Sequence, residues 1–187
     1  MAGAPGRVTG RRWRYAARPS SPVSLRALRD ARHRTVAKAA GRTLDLGGIE
    51  TNIALYPPAV TALTALEPNR WSRRRVDRAI AWSDGGIGAI TFVENLTALA
   101  STTGPFDTIV SVTAIGGAAQ PKRMIDTVER LLAPHGTLVF AERGTGWRTD
   151  PTTTMMIGSG RLFISDIDRE GTAHQRLAIG TARHRPT

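Results

Sequence analysis

GRTLDLGGIETNIALYPPAVTALTALEPN, residues 41–69, decides how this chain folds. It opens with a short apolar run, Thr43–Leu46, passes through Gly47-Gly48, and returns to a second apolar run, Ala62–Leu66, that ends in Glu67-Pro68-Asn69. Two buried-type strands joined through a glycine turn and a connecting segment form the opening of a parallel sheet. Downstream the rhythm continues. Strand-like runs recur at Ala89–Val93, Thr108–Val112 and Thr137–Phe140, and helix-like stretches lie between at Arg70–Trp82 and Lys122–Leu132. The second stretch places Met124, Ile125, Val128, Leu131 and Leu132 on one face and stops before Pro134. Strands alternating with helices predict an α/β domain with a Rossmann-like, doubly wound, mostly parallel sheet.

Outward from this centre the pattern changes. Residues 24–40 alternate Leu25, Leu28, Val36 and Ala39 with strong helix formers and read as an amphipathic helix closed by Gly41. Arg161–Ile167 and Gln175–Thr181 read as strands of a C-terminal antiparallel hairpin at one edge of the sheet, with Asp168–Thr172 as the turn. No helical pattern is evident in Gly144–Gly160. Residues 1–22, rich in arginine, glycine and proline, read as a flexible basic arm, leaving 23–187 as one domain.

The chain has 187 residues, enough for one compact core, and no apolar run approaches the roughly 18 residues of a membrane span, so a cytoplasmic protein is expected. With no cysteine, disulfides, thiolate metal sites and a cysteine nucleophile are excluded. The four histidines show no metal-ligand spacing, so no metal site is expected. The net charge of +11 is concentrated at the N-terminus, where residues 1–42 carry eleven Arg or Lys against Asp30 alone. Such a segment can bind nucleic acid or anionic lipid, can act as a transit peptide, or can be a solvated extension. The arm offers only Trp13 and Tyr15 for stacking on bases, which gives a single-strand reading little support there.

In open α/β sheets ligands bind outside the carboxyl ends of the strands. Three strand ends carry suitable groups. Asp45-Leu46-Gly47-Gly48 lets the backbone approach a ligand closely, Glu67 can accept both hydroxyls of a ribose, and Glu94-Asn95 can take the exocyclic amine of adenine. Each has a plainer reading: a tight turn, a solvated turn residue before Pro68, and a helix cap. The Gly-x-Gly-x-x-Gly of dinucleotide-binding dehydrogenases is absent from this turn, which argues against a nicotinamide cofactor.

Taken in order, Gly41–Gly48, Asn52-Ile-Ala-Leu-Tyr56-Pro57-Pro58, Glu67-Pro68-Asn69, Phe106-Asp107-Thr-Ile-Val-Ser, Arg130-Leu-Leu-Ala-Pro134-His135-Gly136 and Leu138-Val-Phe-Ala-Glu142-Arg143 are similar to class I S-adenosylmethionine-dependent methyltransferases. Within them the chain most resembles the type-11 group that includes thiol S-methyltransferase-like proteins, over about residues 24–143. The resemblance implies S-adenosylmethionine as cofactor and a small-molecule methyl acceptor, a thiol, phenol or similar nucleophile. It places Asp45 and Gly47 beneath the methionyl part, Glu67 on the ribose, Glu94 and Asn95 beside adenine, and Thr113 near the sulfonium, with Gly48, Asn52 and Pro68 completing the cofactor set.

The family loop reads acidic-x-Gly-x-Gly-x-Gly. Here only Gly47 and Gly48 remain, and the spacing from Asp45 to Asn52 is one residue shorter. Ile49 or Glu50 therefore stands where a glycine normally opens the backbone to the cofactor. Two outcomes follow: an active methyltransferase, or a catalytically silent member that keeps the fold as a binding module. A nucleic-acid-associated protein acting through the basic arm is the third reading. Arg143 stands where the family has histidine, and Gly144–Gly160 is a short connection where acceptor-binding parts often lie.

Overall fold

A computed structural model of the chain describes residues 24–81, 87, 90–101, 104–144, 151–172 and 175–186. The basic arm of residues 1–22 lies outside them. Elements follow in the order α1 (Leu25–Val36), β1 (Gly41–Asp45), α2 (Ile49–Asn52), a 3-10 turn (Ile53–Leu55), β2 (Val60–Leu66), α3 (Arg70–Ala81) and β3 (Ile90–Val93). The second half comprises α4 (Leu96–Ala100), β4 (Phe106–Val112), α5 (Ala114–Gly117), α6 (Pro121–Leu131), β5 (Leu132–Gly144), α7 (Pro151–Ser159), β6 (Leu162–Thr172) and β7 (Gln175–His184). No helix among the described residues is long and apolar enough to cross a membrane.

The strands form one sheet in the order β3-β2-β1-β4-β5-β7-β6. β1 to β5 are parallel, while β7 runs antiparallel between β5 and β6. Strand order reverses between β1 and β4, and in open α/β sheets the carboxyl ends at such a switch point are where ligands bind.

Side-chain alternation along the central strands builds two cores, one on each face. Leu44 and Leu46 of the β1 segment, Ile109 of β4, and Leu138 and Phe140 of β5 pack with α4 to α7. Their neighbours Val110, Val112, Val139 and Ala141 face the other way, against α1 to α3. Asp45 falls on that second face, yet it is fully buried. Its polarity at an apolar position is the first mark of a site.

Some expectations need correction. The first helix stops at Val36 rather than running to residue 40; Lys38 N and Ala39 N donate back to Thr35 O and Val36 O in a tightened last turn. Gly41, at φ +67°, starts β1 instead of capping the helix. A Cβ there would lie 2.3 Å from Asp107 Oδ2, whose carboxylate accepts the Arg42 N–H at 2.8 Å. Asp168–Thr172 is strand, not turn, and pairs onward to Thr172↔Gln175. Two of its acids face α1, where Arg34 pairs with Asp168 and Glu170; just before the segment, Asp166 pairs with Lys38, two residues beyond α1. Gly144–Gly160, where the sequence shows no helical pattern, includes α7. Pro151 can start a helix, but the β-branched Thr152, Thr153 and Thr154 disfavour one, so its packing decides. Met156 and Thr153 are buried there.

Gly180 fixes the closest approach in the hairpin. It lies opposite both Phe140 and Ile167, and an added Cβ would sit 2.3 Å from the Asp166 carbonyl oxygen and 2.9 Å from Phe140 Cζ. Gly180→Ala is expected to cost about 2 kcal/mol or more. Gly158→Ala, in α7 with nothing within 4 Å of the new Cβ, is expected to be neutral or slightly stabilising. Midpoints of urea unfolding check both; equal midpoints for the two variants would contradict the packing described for β7.

Candidate functional site

At the carboxyl end of β1 the chain turns on itself around one carboxylate. Asp45 Oδ1 accepts the Gly47 N–H at 2.8 Å, and Oδ2 accepts Asn52 Nδ2 at 2.8 Å and the Tyr56 hydroxyl at 2.7 Å. Gly48 adopts φ +90° and N-caps α2, its carbonyl accepting from Thr51 N and Asn52 N. That left-handed turn needs glycine for its backbone, since a Cβ would meet nothing closer than 3.7 Å. Leu46 N donates to Val110 O, tying the loop to β4 beyond the last strand residue.

Burial pushes the Asp45 carboxyl up to about 6, although Asn52, Tyr56, the Gly47 N–H and the Arg32 guanidinium all hold it down. The same burial raises the Tyr56 phenol and lowers Arg32. Two polar atoms of this cluster, Arg32 Nε and Asn52 Oδ1, are buried without a hydrogen-bond partner. Buried polar atoms are nearly always paired, so a donor and an acceptor left over at a strand's carboxyl end mark a place where a ligand can bond.

Ile49 and Glu50, one or the other of which stands where the family has glycine, both have structural occupations. Ile49 is fully buried in the core beneath α1 to α3. Glu50 reaches α3, where it accepts the Ser72 hydroxyl at 3.0 Å and pairs with Arg75 at 2.6 Å.

The ends of β2 and β3 are joined by an arginine. Arg73 Nε donates to the Glu67 carbonyl at 2.7 Å, and its terminal nitrogen pairs with Glu94 at 3.0 Å. Glu67 Oε1 accepts the Asn69 N–H at 2.8 Å, while Pro68 is exposed between them. Burial raises the Glu67 carboxyl; the Asn69 N–H and Arg73 oppose that, and nearby Glu50 adds to it. Asn95 Oδ1 accepts the Ala98 N–H at 2.8 Å and caps α4, the plainer of its two sequence readings.

Thr113, after β4, is a non-glycine residue at φ +57°, and its N–H donates to Ala141 O. Such strain persists where the surroundings dictate it. Here the clamp is Glu142. Fully buried at the end of β5, it accepts from Ser111 Oγ at 2.5 Å, Ile115 N at 3.1 Å and Gly116 N at 3.0 Å.

The strand order thus sets the ends of β3, β2, β1 and β4 side by side, and with them all nine candidate residues. Asp45, Gly47 and Asn52 are brought into one bonded cluster. Glu94 and Asn95 are held by Arg73 and α4, apart from that cluster. Sequence reasoning missed Arg32, Arg73 and the Ser111–Glu142 pair. Nothing distinguishes Arg32 among the arginines of α1; Glu142, an acid closing the apolar run Leu138–Ala141, carries a legible signal.

A carboxyl that titrates higher in the folded state than in the unfolded chain makes the folded state bind more protons. Stability therefore falls as pH rises between the unfolded value near 4 and about 6, and the loss is constant above. Asp45→Asn removes this titration. The stability advantage of the parent over the variant is expected to shrink from about pH 4 to about pH 6 and then to level off, as read from urea unfolding at each pH. A difference that grows across this window would contradict the burial assigned to Asp45.

No protein-family model and no curated protein matches the sequence. Solved structures do match. The N-methyltransferase NodS from Bradyrhizobium japonicum WM9, in complex with S-adenosyl-L-homocysteine, superposes with TM-score 0.64 at 18% identity over 85% of this chain and 86% of that one. The 1,6-didemethyltoxoflavin-N1-methyltransferase of Burkholderia thailandensis, with 1,6-didemethyltoxoflavin and S-adenosylhomocysteine bound, gives 0.59 at 17% identity over 85% and 77%. The [4+2]-cyclase SpnF gives 0.64 at 15% over 84% and 79%. The chain therefore has the fold of the class I methyltransferases, the fold expected from the ordered motifs of residues 24–143.

Proposed function

We propose that this chain binds S-adenosylmethionine at the carboxyl ends of β1 to β4 and directs methyl transfer to a small-molecule nucleophile such as a thiol or phenol. The observation that carries the reading is the pair of orphaned atoms beside Asp45. Asn52 Oδ1 is an acceptor suited to an ammonium, and Arg32 is a donor and cation suited to a carboxylate. An amino-acid end presents those two groups together. Glu67, one strand over, is the acceptor suited to ribose hydroxyls. The residues present therefore fit the cofactor. Two solved structures of this fold with S-adenosylhomocysteine bound support the same assignment.

When bound, S-adenosylmethionine supplies a methyl group on a sulfonium, open to in-line attack. The chain's contribution is positional. Asp45 fixes the Gly47 N–H and the Asn52 amide in one orientation. Arg73 holds the β2 and β3 ends at a set separation through Glu67 and Glu94. Glu142 holds the α5 N-terminus and, with it, the strained Thr113. No side chain named here is placed as a general base, which suits an acceptor that arrives already deprotonated.

The shortened loop favours a second reading, a member that binds cofactor without transferring its methyl group. SpnF, whose name gives a cyclase, illustrates that this fold does not by itself fix the reaction.

Calorimetry with S-adenosylhomocysteine is expected to give a saturable isotherm for the parent. Glu67→Ala and Arg32→Met should each weaken binding about tenfold or more, through lost charge-assisted hydrogen bonds. No heat and no thermal shift for the parent would overturn the proposal. Binding without methyl transfer to any simple thiol or phenol would leave the second reading in its place.

A further inference from the structure

We infer that α3 is a docking surface for single-stranded nucleic acid, independent of the cofactor site. Its exposed face is built from Arg70, Trp71, Arg74, Arg75 and Arg78, with one acid, Asp77, at its edge. Ser72 and Val76 are buried, so the helix has a defined inner side. Two of its five arginines already have carboxylate partners: Arg73 pairs with Glu94, and Arg75 with Glu50. Arg70, Arg74 and Arg78 form no ion pair among the described residues.

These three lie four residues apart, one above another, with a rise of about 6 Å between guanidiniums. A regular row of cations without carboxylate partners matches a ligand with regularly repeated negative charge better than a single anion. Guanidinium forks also suit phosphate oxygens.

Trp71 selects the partner. It is 54% exposed, a large apolar surface to leave in water, and two guanidiniums lie over its ring, with Arg70 Cζ at 5.4 Å and Arg74 Cζ at 5.1 Å from the centroid, contacts that an incoming base would replace by stacking. An indole beside a row of arginines offers a stacking platform next to phosphate contacts, the combination that binds unpaired bases without sequence preference. A protein partner would need an apolar patch around the tryptophan, and its exposed neighbours on α3 are charged. An anionic membrane would need several apolar wedges, where this face has one.

The test uses the full chain, a fluorescein-labelled oligouridylate, and anisotropy between about 50 and 200 mM salt. The parent should bind, with affinity falling steeply as salt rises. Arg70→Gln/Arg74→Gln/Arg78→Gln should weaken binding and make the log–log salt slope shallower by about two, as expected for three lost contacts on a single strand. Trp71→Ala should lose about tenfold while keeping the parent's salt slope. S-adenosylhomocysteine binding should be unchanged in both variants, which separates this proposal from the one above and reports that they are folded. Should the triple variant fail to fold, the Trp71→Ala arm decides alone. Parent-like affinity in the variants, tighter binding of duplex than of single strand, or binding to phosphatidylserine vesicles but not to RNA would each overturn the proposal.

Discussion

The carboxylate of Asp45 is completely buried at the point where β1 stops, and the arrangement of the crevice depends on how that charge is accommodated. Water is excluded, so the neighbouring chain must solvate it. Three donors converge from residues two, seven and eleven positions ahead, and a guanidinium approaches from α1. Leaving a buried charge short of partners costs several kcal/mol, of the same order as the whole stability of a domain. That penalty is what obliges residues 46–56 to adopt one path. The turn at Gly48, the short α2 and the position of Tyr56 are consequences of it.

The same constraint explains how a loop one residue short of the family pattern is accommodated. Ile49 enters the core and Glu50 is tied to α3, so both extra side chains are directed toward packing. α3 returns the contact through Arg73, which links the ends of β2 and β3. The sheet and its helices thus hold the strand ends from two sides. On the far side of β1, Glu142 performs for α5 the service that Asp45 performs for α2: a buried carboxylate organises backbone N–H groups at a strand end.

Much of this was legible beforehand, for a physical reason. Parallel strands are buried on both faces, so β1, β2, β4 and the centre of β5 stand out as apolar runs, and the acids that terminate them stand out against those runs. α6 was visible from its single apolar face. What escaped depends on partners distant in sequence. β6 looks like a turn over Asp168–Thr172 because the charges of Asp168 and Glu170 are matched by Arg34, more than a hundred residues earlier. α7 has three successive threonines and no amphipathic pattern; its place comes from packing. The role of Arg32 rests on the approach of α1 to Asp45, which no local pattern encodes. Asn95 illustrates the opposite case, where the ordinary cap reading held while the ligand reading stays a proposal.

The orphaned polar atoms of Arg32 and Asn52, together with Glu67, are the proposed recognition surface for a nucleoside carrying an amino-acid tail. The most direct measurement is a crystal structure of the protein grown with S-adenosylhomocysteine. The ribose hydroxyls are expected on the Glu67 carboxylate and the amino-acid end against Arg32 and Asn52. A ligand bound elsewhere, or a crevice closed around Asp45 with Arg32 turned away, would contradict that placement.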